Sequence, residues 1–256
     1  AKVLFESRAG MRIRRARDAF VQATGVPAPQ SAEFFWVSRL MVAKGVWNRT
    51  RDATINLLAR EFRDASLADF VRAMYRFSPR GAKLRSLDPS IDAPGSELQK
   101  FLEGDSTSAE ALRKFFGHQS MLFEGYVDHL VGQSRAALLV DTGWQGTAQT
   151  LLARAFPEYD WSGAYFGRFG FAGTDRNQWS KMVGLVFESD TFDPHAPETC
   201  VVLNRHLFES LFEPAGQSVE WLAPNEHGRA IAPDAPAILA DAPTRETDPF
   251  FCGVLA

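Results

Sequence analysis

The chain has 256 residues, 45% of them hydrophobic and 23% charged, with a net charge of −3 at pH 7 and a pI near 6.0. That is enough chain for one large or two small cores, and the charge balance offers no electrostatic case for nucleic-acid binding. The two cysteines, Cys200 and Cys252, lie far apart without metal-ligand spacing, which predicts a reducing, cytoplasmic compartment. No apolar run is long enough to span a bilayer and no signal peptide opens the chain, so membrane insertion is not expected.

The first residues alternate quickly between strand and helix signals. Val3-Leu4-Phe5-Glu6 reads as a short strand, Ser7 to Gly10 as a turn, and Met11 to Thr24 as a helix with Ile13, Ala16, Phe20 and Val21 at helical spacing. Gly25, Pro27 and Pro29 stop that helix. Glu33 to Val37 is a second strand ending in Ser38-Arg39, so the chain opens β-α-β and both strands end in a Ser-Arg pair. If the strands are parallel neighbours, Arg8 and Arg39 share one sheet edge and could form an anion cradle; the alternative for each is a surface arginine in an ion pair. A chain that starts at Ala1 and enters a strand at Val3 is expected to be a piece of a longer polypeptide.

From Met41 to Gly132 the spacing is mostly helical. Arg49 to Phe62, Ser66 to about Phe77, a start at Ser96-x-x-Gln99, and Ser108 to Val131 as one long helix or a broken pair are the predicted elements. Loops are expected at Ser78 to Gly81 and Asp92 to Gly95. The block reads as a helical insertion at the carboxyl edge of a sheet.

Ala137-Leu138-Leu139-Val140 then runs into Asp141, and Asp141 opens a Gly-x-x-Gly-Thr turn, Thr142-Gly143-Trp144-Gln145-Gly146-Thr147. A helix-like segment follows to Phe156. A continuous apolar run reads as a buried parallel strand. The glycines permit a sharp turn and close approach of backbone to a ligand, and the N–H groups opening the next helix suit a phosphate. Asp141 could hold a metal or accept hydrogen bonds from sugar hydroxyls. The other reading is a tight turn whose Asp or Thr merely caps the helix.

Further strands are expected at Ala164 to Phe169 and Val219 to Leu222, with another apolar segment from Met182 to Phe187 and a partly helical stretch from Val201 to Leu211. Glu209 in that stretch is either a general base or ribose contact, or a surface residue paired with Arg205. Pro224 to Pro249 reads as an extended arm. The 21 phenylalanines point to a thick aromatic core or a partner surface. The patterns of a P-loop, a dinucleotide-binding glycine loop, a zinc protease and a nucleophile-elbow hydrolase are missing from the chain.

Two resemblances follow from these motifs. Ser7-Arg8-Ala9-Gly10, Phe35-Trp36-Val37-Ser38-Arg39, Asp141 to Thr147, Gly163-Ala164-Tyr165-Phe166-Gly167, and Glu209 with Gly216-Gln217-Ser218 stand in the same order as motifs of one bacterial region. It is the region downstream of the haloacid-dehalogenase-like domain in bacterial predicted hydrolases of glycan gene clusters. Ala9 stands where that region has Asp, and the dehalogenase-like half, with its nucleophile, is not in this chain. The core also resembles type I phosphoribosyltransferases in its first strand-turn-helix and its later strand-Asp-loop-helix. That likeness implies Gly143 to Thr147 at a sugar 5-phosphate, Asp141 at ribose hydroxyls or Mg²⁺, and Arg8 and Arg39 at a diphosphate.

The expected fold is therefore α/β, with a Rossmann-like, mostly parallel sheet in a single domain over 1–222, a helical insertion at about 41–132, and a C-terminal arm over 223–256. The expected function is binding of a phosphorylated sugar or nucleotide, with glycosyl or phosphoribosyl transfer as its concrete form and Mg²⁺ as cofactor. The candidate catalytic residues are Asp141 and Glu209; the candidate ligand contacts are Arg8, Gly10, Ser38, Arg39, Thr142, Gly143, Trp144, Gln145, Gly146 and Thr147. The alternative is a non-catalytic accessory module of a larger parent polypeptide, or of a partner protein, in glycan biosynthesis.

Overall fold

The computed structural model describes residues 1–28, 31–74, 95–170, 174, 176–213, 218–240 and 243–255. The predicted loop at 78–81, the start of the one at 92–95 and residues 216–217 of the Gly-Gln-Ser motif lie outside them. Packing divides the chain into two compact units. The first comprises Ala1–Ser38, Leu130–Val219 and Asp234–Ala256, and the second Arg39–His129 and Glu220–Pro233.

The first unit is an α/β structure. Among the described residues its central sheet has five strands: β1 (Lys2–Glu6), β2 (Ala32–Phe35), β3 (Ala136–Trp144), β4 (Asp160–Arg168) and β5 (Met182–Glu188). Their order is β2-β1-β3-β4-β5 and every pairing is parallel. Helix α1 (Ala9–Thr24) carries the chain from β1 to β2 on one side. The segment Thr147–Ala155 carries it from β3 to β4 on the other. Right-handed crossovers leaving in opposite directions place the two helices on opposite faces.

The side chains agree with that placement. Phe5 lies under Arg17 of α1. Tyr165 of β4 donates its hydroxyl hydrogen to Gln149 of the Thr147–Ala155 helix at 3.0 Å. Gly163, two residues before Tyr165, is where the side chains of Gln149 and Tyr165 would meet any added Cβ. A larger residue there would push the Gln149 side chain away from β4.

The second unit is helical in its first part, with α2 (Arg39–Gly45), α3 (Arg51–Glu61), α4 (Leu67–Met74), α5 (Leu98–Glu103) and α6 (Thr107–Val131), the last ending in the first unit. Ser66 caps α4 as its spacing predicts. Its hydroxyl bonds the Asp69 carboxylate at 2.8 Å and accepts from the Asp69 N–H at 3.1 Å. The predicted start at Ser96 is displaced: a 3-10 turn occupies Gly95–Glu97, and α5 begins at Leu98. Thr107–Val131 is one continuous helix.

Two polar side chains inside this unit hold the returning segment 220–233. Lys44 is 1% exposed and donates to the carbonyl oxygen of Glu220. Gln119, equally buried, accepts from the Leu222 N–H at 2.7 Å and donates to its carbonyl at 3.0 Å. A side-chain amide thus does for Leu222 what a neighbouring strand would do. The strand expected at Val219 to Leu222 is not formed. A two-residue pairing follows instead, between β6 (Ala223–Pro224) and β7 (Ala230–Ile231).

The C-terminal residues also depart from the expected extended arm. In the first unit they form short helices at Ala235–Ala240 and Pro249–Leu255. Asp248 accepts from the Phe251 N–H at 3.1 Å, and Pro249 sits at the first helical position, where it has no N–H to lose. Phe251 is fully buried against Ala9 and Phe212, and Arg12 stacks over its ring at 4.8 Å while pairing with Asp248. A single aromatic anchor in a Pro-rich stretch leaves no periodic trace, so composition alone reads as linker.

Burial lowers the Lys44 amine to about 8, with the nearby Glu220 acting in the opposite, smaller sense. An amine that is harder to protonate when folded makes the unfolded chain bind more protons above that value. Stability should therefore rise as pH increases from about 8 to 10, and Lys44→Met should flatten that rise. Urea unfolding at pH 7.5 and 9.5 measures it; equal slopes in both proteins would contradict the burial of a titrating amine.

Candidate functional site

The sheet order has its switch point where β1 and β3 lie side by side while their crossovers depart to opposite sides. In open parallel sheets that switch point, at the carboxyl ends of the strands, is where ligands bind. The register runs Lys2 to Ala137 and Phe5 to Val140, so the next pair is Glu6 and Asp141. Asp141 in turn pairs with Tyr165, and Glu6 with Phe35. Paired residues on parallel strands point to the same face, with neighbouring strands about 4.8 Å apart. Glu6, Asp141 and Tyr165 therefore form one row on the face that carries Gln149.

This row is polar in an apolar setting. Glu6 is 8% exposed, and its Oε1 has no hydrogen-bond partner. Burial, and then the neighbouring Asp141, push the Glu6 carboxyl well above its ordinary value. The Tyr165 phenol is raised by burial first, then by Glu6 and Asp141. Asp141 is half-buried and opens the row to solvent. Gln149, fully buried, fixes the other end by donating to the carbonyls of Trp161 and Lys181, both at 3.3 Å.

The turn after Asp141 leads into α7 (Thr147–Ala155). Thr142 is buried, Gly143 has φ 107°, and the Gly143–Trp144 peptide is cis. Gly146, at φ 60°, is the N-cap of α7, and no side chain caps the helix. The reading of Asp141 or Thr147 as a mere cap is thereby not what the turn shows. A Cβ on Gly146 would also collide with Met182. Gln145 and Thr147 are half-buried beside the turn.

Other candidates have different places. Trp144 is 7% exposed and packs with Phe187, Val201 and Val202. Its indole N–H donates at 2.7 Å to Glu209, which lies on a helix spanning Arg205–Phe212, and the other Glu209 oxygen is 3.3 Å from His206. Glu209, expected as a general base or ribose contact, thus has one oxygen on the Trp144 indole and the other beside His206. Gly10 packs on β1: a Cβ would lie 2.7 Å from the Phe5 backbone.

Arg8 has φ 75° and ψ −90°, a conformation that disfavours a residue with a Cβ. Its guanidinium pairs with Glu213 and reaches the Ser218 hydroxyl at 3.1 Å. Ser38 closes the first unit, whereas Arg39 opens α2 of the second and bonds both oxygens of Glu61, at 2.9 and 3.0 Å. Each arginine of the expected cradle therefore has its own carboxylate partner.

Glu6, Tyr165 and Gln149 are the site residues that sequence reading missed. One signal for Glu6 was available: like Asp141, it is an acidic residue at the end of an apolar strand. Hard oxygen donors such as Glu6 and Asp141 suit Mg²⁺, which takes one or two carboxylates plus phosphate and water. Among the described residues no three His, Cys, Asp or Glu side chains gather as a self-sufficient cage. Among them also, no helix is long and apolar enough to cross a membrane. No protein family and no curated protein matches the chain.

Glu6 supplies a pH test. A carboxyl that stays protonated in the folded state while the unfolded chain ionises makes folding take up a proton. Its favourable contribution is present below about 4.3, the unfolded Glu value, and is lost as pH rises through the folded value. Glu6→Gln has no such loss. In chelator, the variant should gain stability over wild type between pH 4.5 and 7.5, raising Tm at the higher pH by about 2–4 °C per kcal/mol gained. A gap that is constant with pH would show that Glu6 is not held protonated.

Proposed function

We propose that the protein binds a phosphorylated sugar or a nucleotide in the crevice between β1 and β3, and that transfer of a glycosyl or phosphoribosyl group is its chemistry. The observation that carries this reading is the uncapped N-terminus of α7, set beside the Glu6–Asp141 pair at the switch point. Backbone N–H groups at a helix start, with the helix dipole behind them, favour a phosphate. Asp141, half-exposed at the strand end, suits sugar hydroxyls or Mg²⁺, which when bound neutralises phosphate charge. The order of motifs shared with phosphoribosyltransferases and with the dehalogenase-associated region supports the same placement.

The roles of the chain's residues follow. The amides of Thr147 to Gln149 would hold the phosphate, and Gly143 and Gly146 let the backbone come close. Arg8 and Arg39 are already neutralised by Glu213 and Glu61, so they contribute less than the backbone amides unless those pairs open. Catalysis in such a site rests on orienting the donor and stabilising positive charge that develops on the sugar carbon. The half-buried Asp141 carboxylate is the group placed to do the latter.

A thermal-shift screen of phosphoribosyl diphosphate, sugar phosphates and nucleotides, with and without Mg²⁺, tests the reading. A ligand at 100 times its Kd adds about 2.7 kcal/mol to the folded state. For a chain of this size that is a rise of roughly 5–10 °C. Asp141→Asn should remove the Mg²⁺-dependent part of the rise. A well-folded protein that shifts with none of these ligands would sink the proposal.

A further inference from the structure

The Glu6–Asp141 row raises a question of charge. Two carboxylates on adjacent strands face the same side, one of them nine-tenths buried with an oxygen that has no partner. Glu6 has no ion-pair partner among the described residues. The basic groups around it are turned elsewhere: Lys2 pairs with Glu33, Arg8 with Glu213, Arg12 with Asp248, and Arg17 with Asp18. On the facing helix, Gln149 is committed to Tyr165 and to two carbonyls. A buried carboxyl group with an orphaned oxygen, such as that of Glu6, carries charge favourably only where a cation reaches it.

We propose that Glu6 and Asp141 together form a divalent-cation site of the magnesium or manganese type, which the phosphate at α7 completes. The inference rests on the phosphate reading for its ligand and goes beyond it by making Glu6, the last residue of β1, a direct ligand. Oxygen-only donors select a hard cation over zinc or copper. Two protein carboxylates leave most of the coordination sphere to water and phosphate, as Mg²⁺ prefers. The dependence on β1–β3 register is strict, because slipping one residue would turn Glu6 and Asp141 to opposite faces.

Mn²⁺ alone, titrated into the full chain and followed by electron paramagnetic resonance, is the test. One Mn²⁺ per chain is expected, weakened at least tenfold by Glu6→Gln and by Asp141→Asn, and unchanged by Asp160→Asn at the amino end of β4. A measurement on wild-type protein guards against variants that fail to fold. Mn²⁺ should broaden the amide resonances of Ser7 and Thr142 and spare those of Ala137 and Trp161. No stoichiometric binding at millimolar Mn²⁺, binding that survives Glu6→Gln, or broadening centred elsewhere overturns the site. A phosphate ester that binds while Mn²⁺ does not overturns the cation site alone. Mn²⁺ binding at Glu6 with no response to any phosphate ester supports the cation site and overturns the phosphate reading alone.

Discussion

The parallel pairing of β1 with β3 is the constraint on which the first unit depends. These strands are separated by about half the chain, yet their register joins Lys2 to Ala137 and Phe5 to Val140. It fixes which side chains share a face, and so sets Glu6 beside Asp141 and both in line with Tyr165. It also fixes where the crossovers part, and so where a crevice can open. The backbone hydrogen bonds of the ladder are individually modest. What makes the register hard to slip is the apolar set beneath it, Leu4 and Leu139 among them, each with no exposed surface.

The polar row is then a local departure from an otherwise apolar face. Gly163 makes room for Gln149, and Gln149 satisfies Tyr165 and two carbonyls, so that end of the row is closed by hydrogen bonds. At the other end, Oε1 of Glu6 has no hydrogen-bond partner. Buried polar groups in folded proteins are as a rule satisfied, and exceptions concentrate where a ligand or ion belongs. Glu209 illustrates the contrast. It is also acidic and also beside the Asp141 turn, but one of its oxygens accepts from the Trp144 indole and the other lies 3.3 Å from His206.

Sequence was informative where structure is local. The apolar runs announced the first four strands to within a few residues, the Ser66 cap was visible as a spacing, and the Asp141 turn stood out by its glycines. It was silent where the cause is distant. Glu6 acquires its meaning from a strand about 130 residues away in the chain. Lys44 carries no local mark of burial in the sequence; its partners, the Glu220 carbonyl and the Phe115 ring, are distant along the chain. Phe251 lies in a stretch rich in Pro and Asp, and one capped turn delivers it to the core. Arg8 and Arg39 each pair with a carboxylate that the local sequence does not announce, Glu213 and Glu61 respectively.

The crystal structure of the chain soaked with phosphoribosyl diphosphate and Mg²⁺ tests the central claim most directly. A phosphate within hydrogen-bonding distance of the Thr147 to Gln149 amides, with the sugar toward Asp141, is the result predicted. Ligand bound away from the carboxyl ends of β1 and β3, or a crevice that stays without ligand while another surface is occupied, would contradict it.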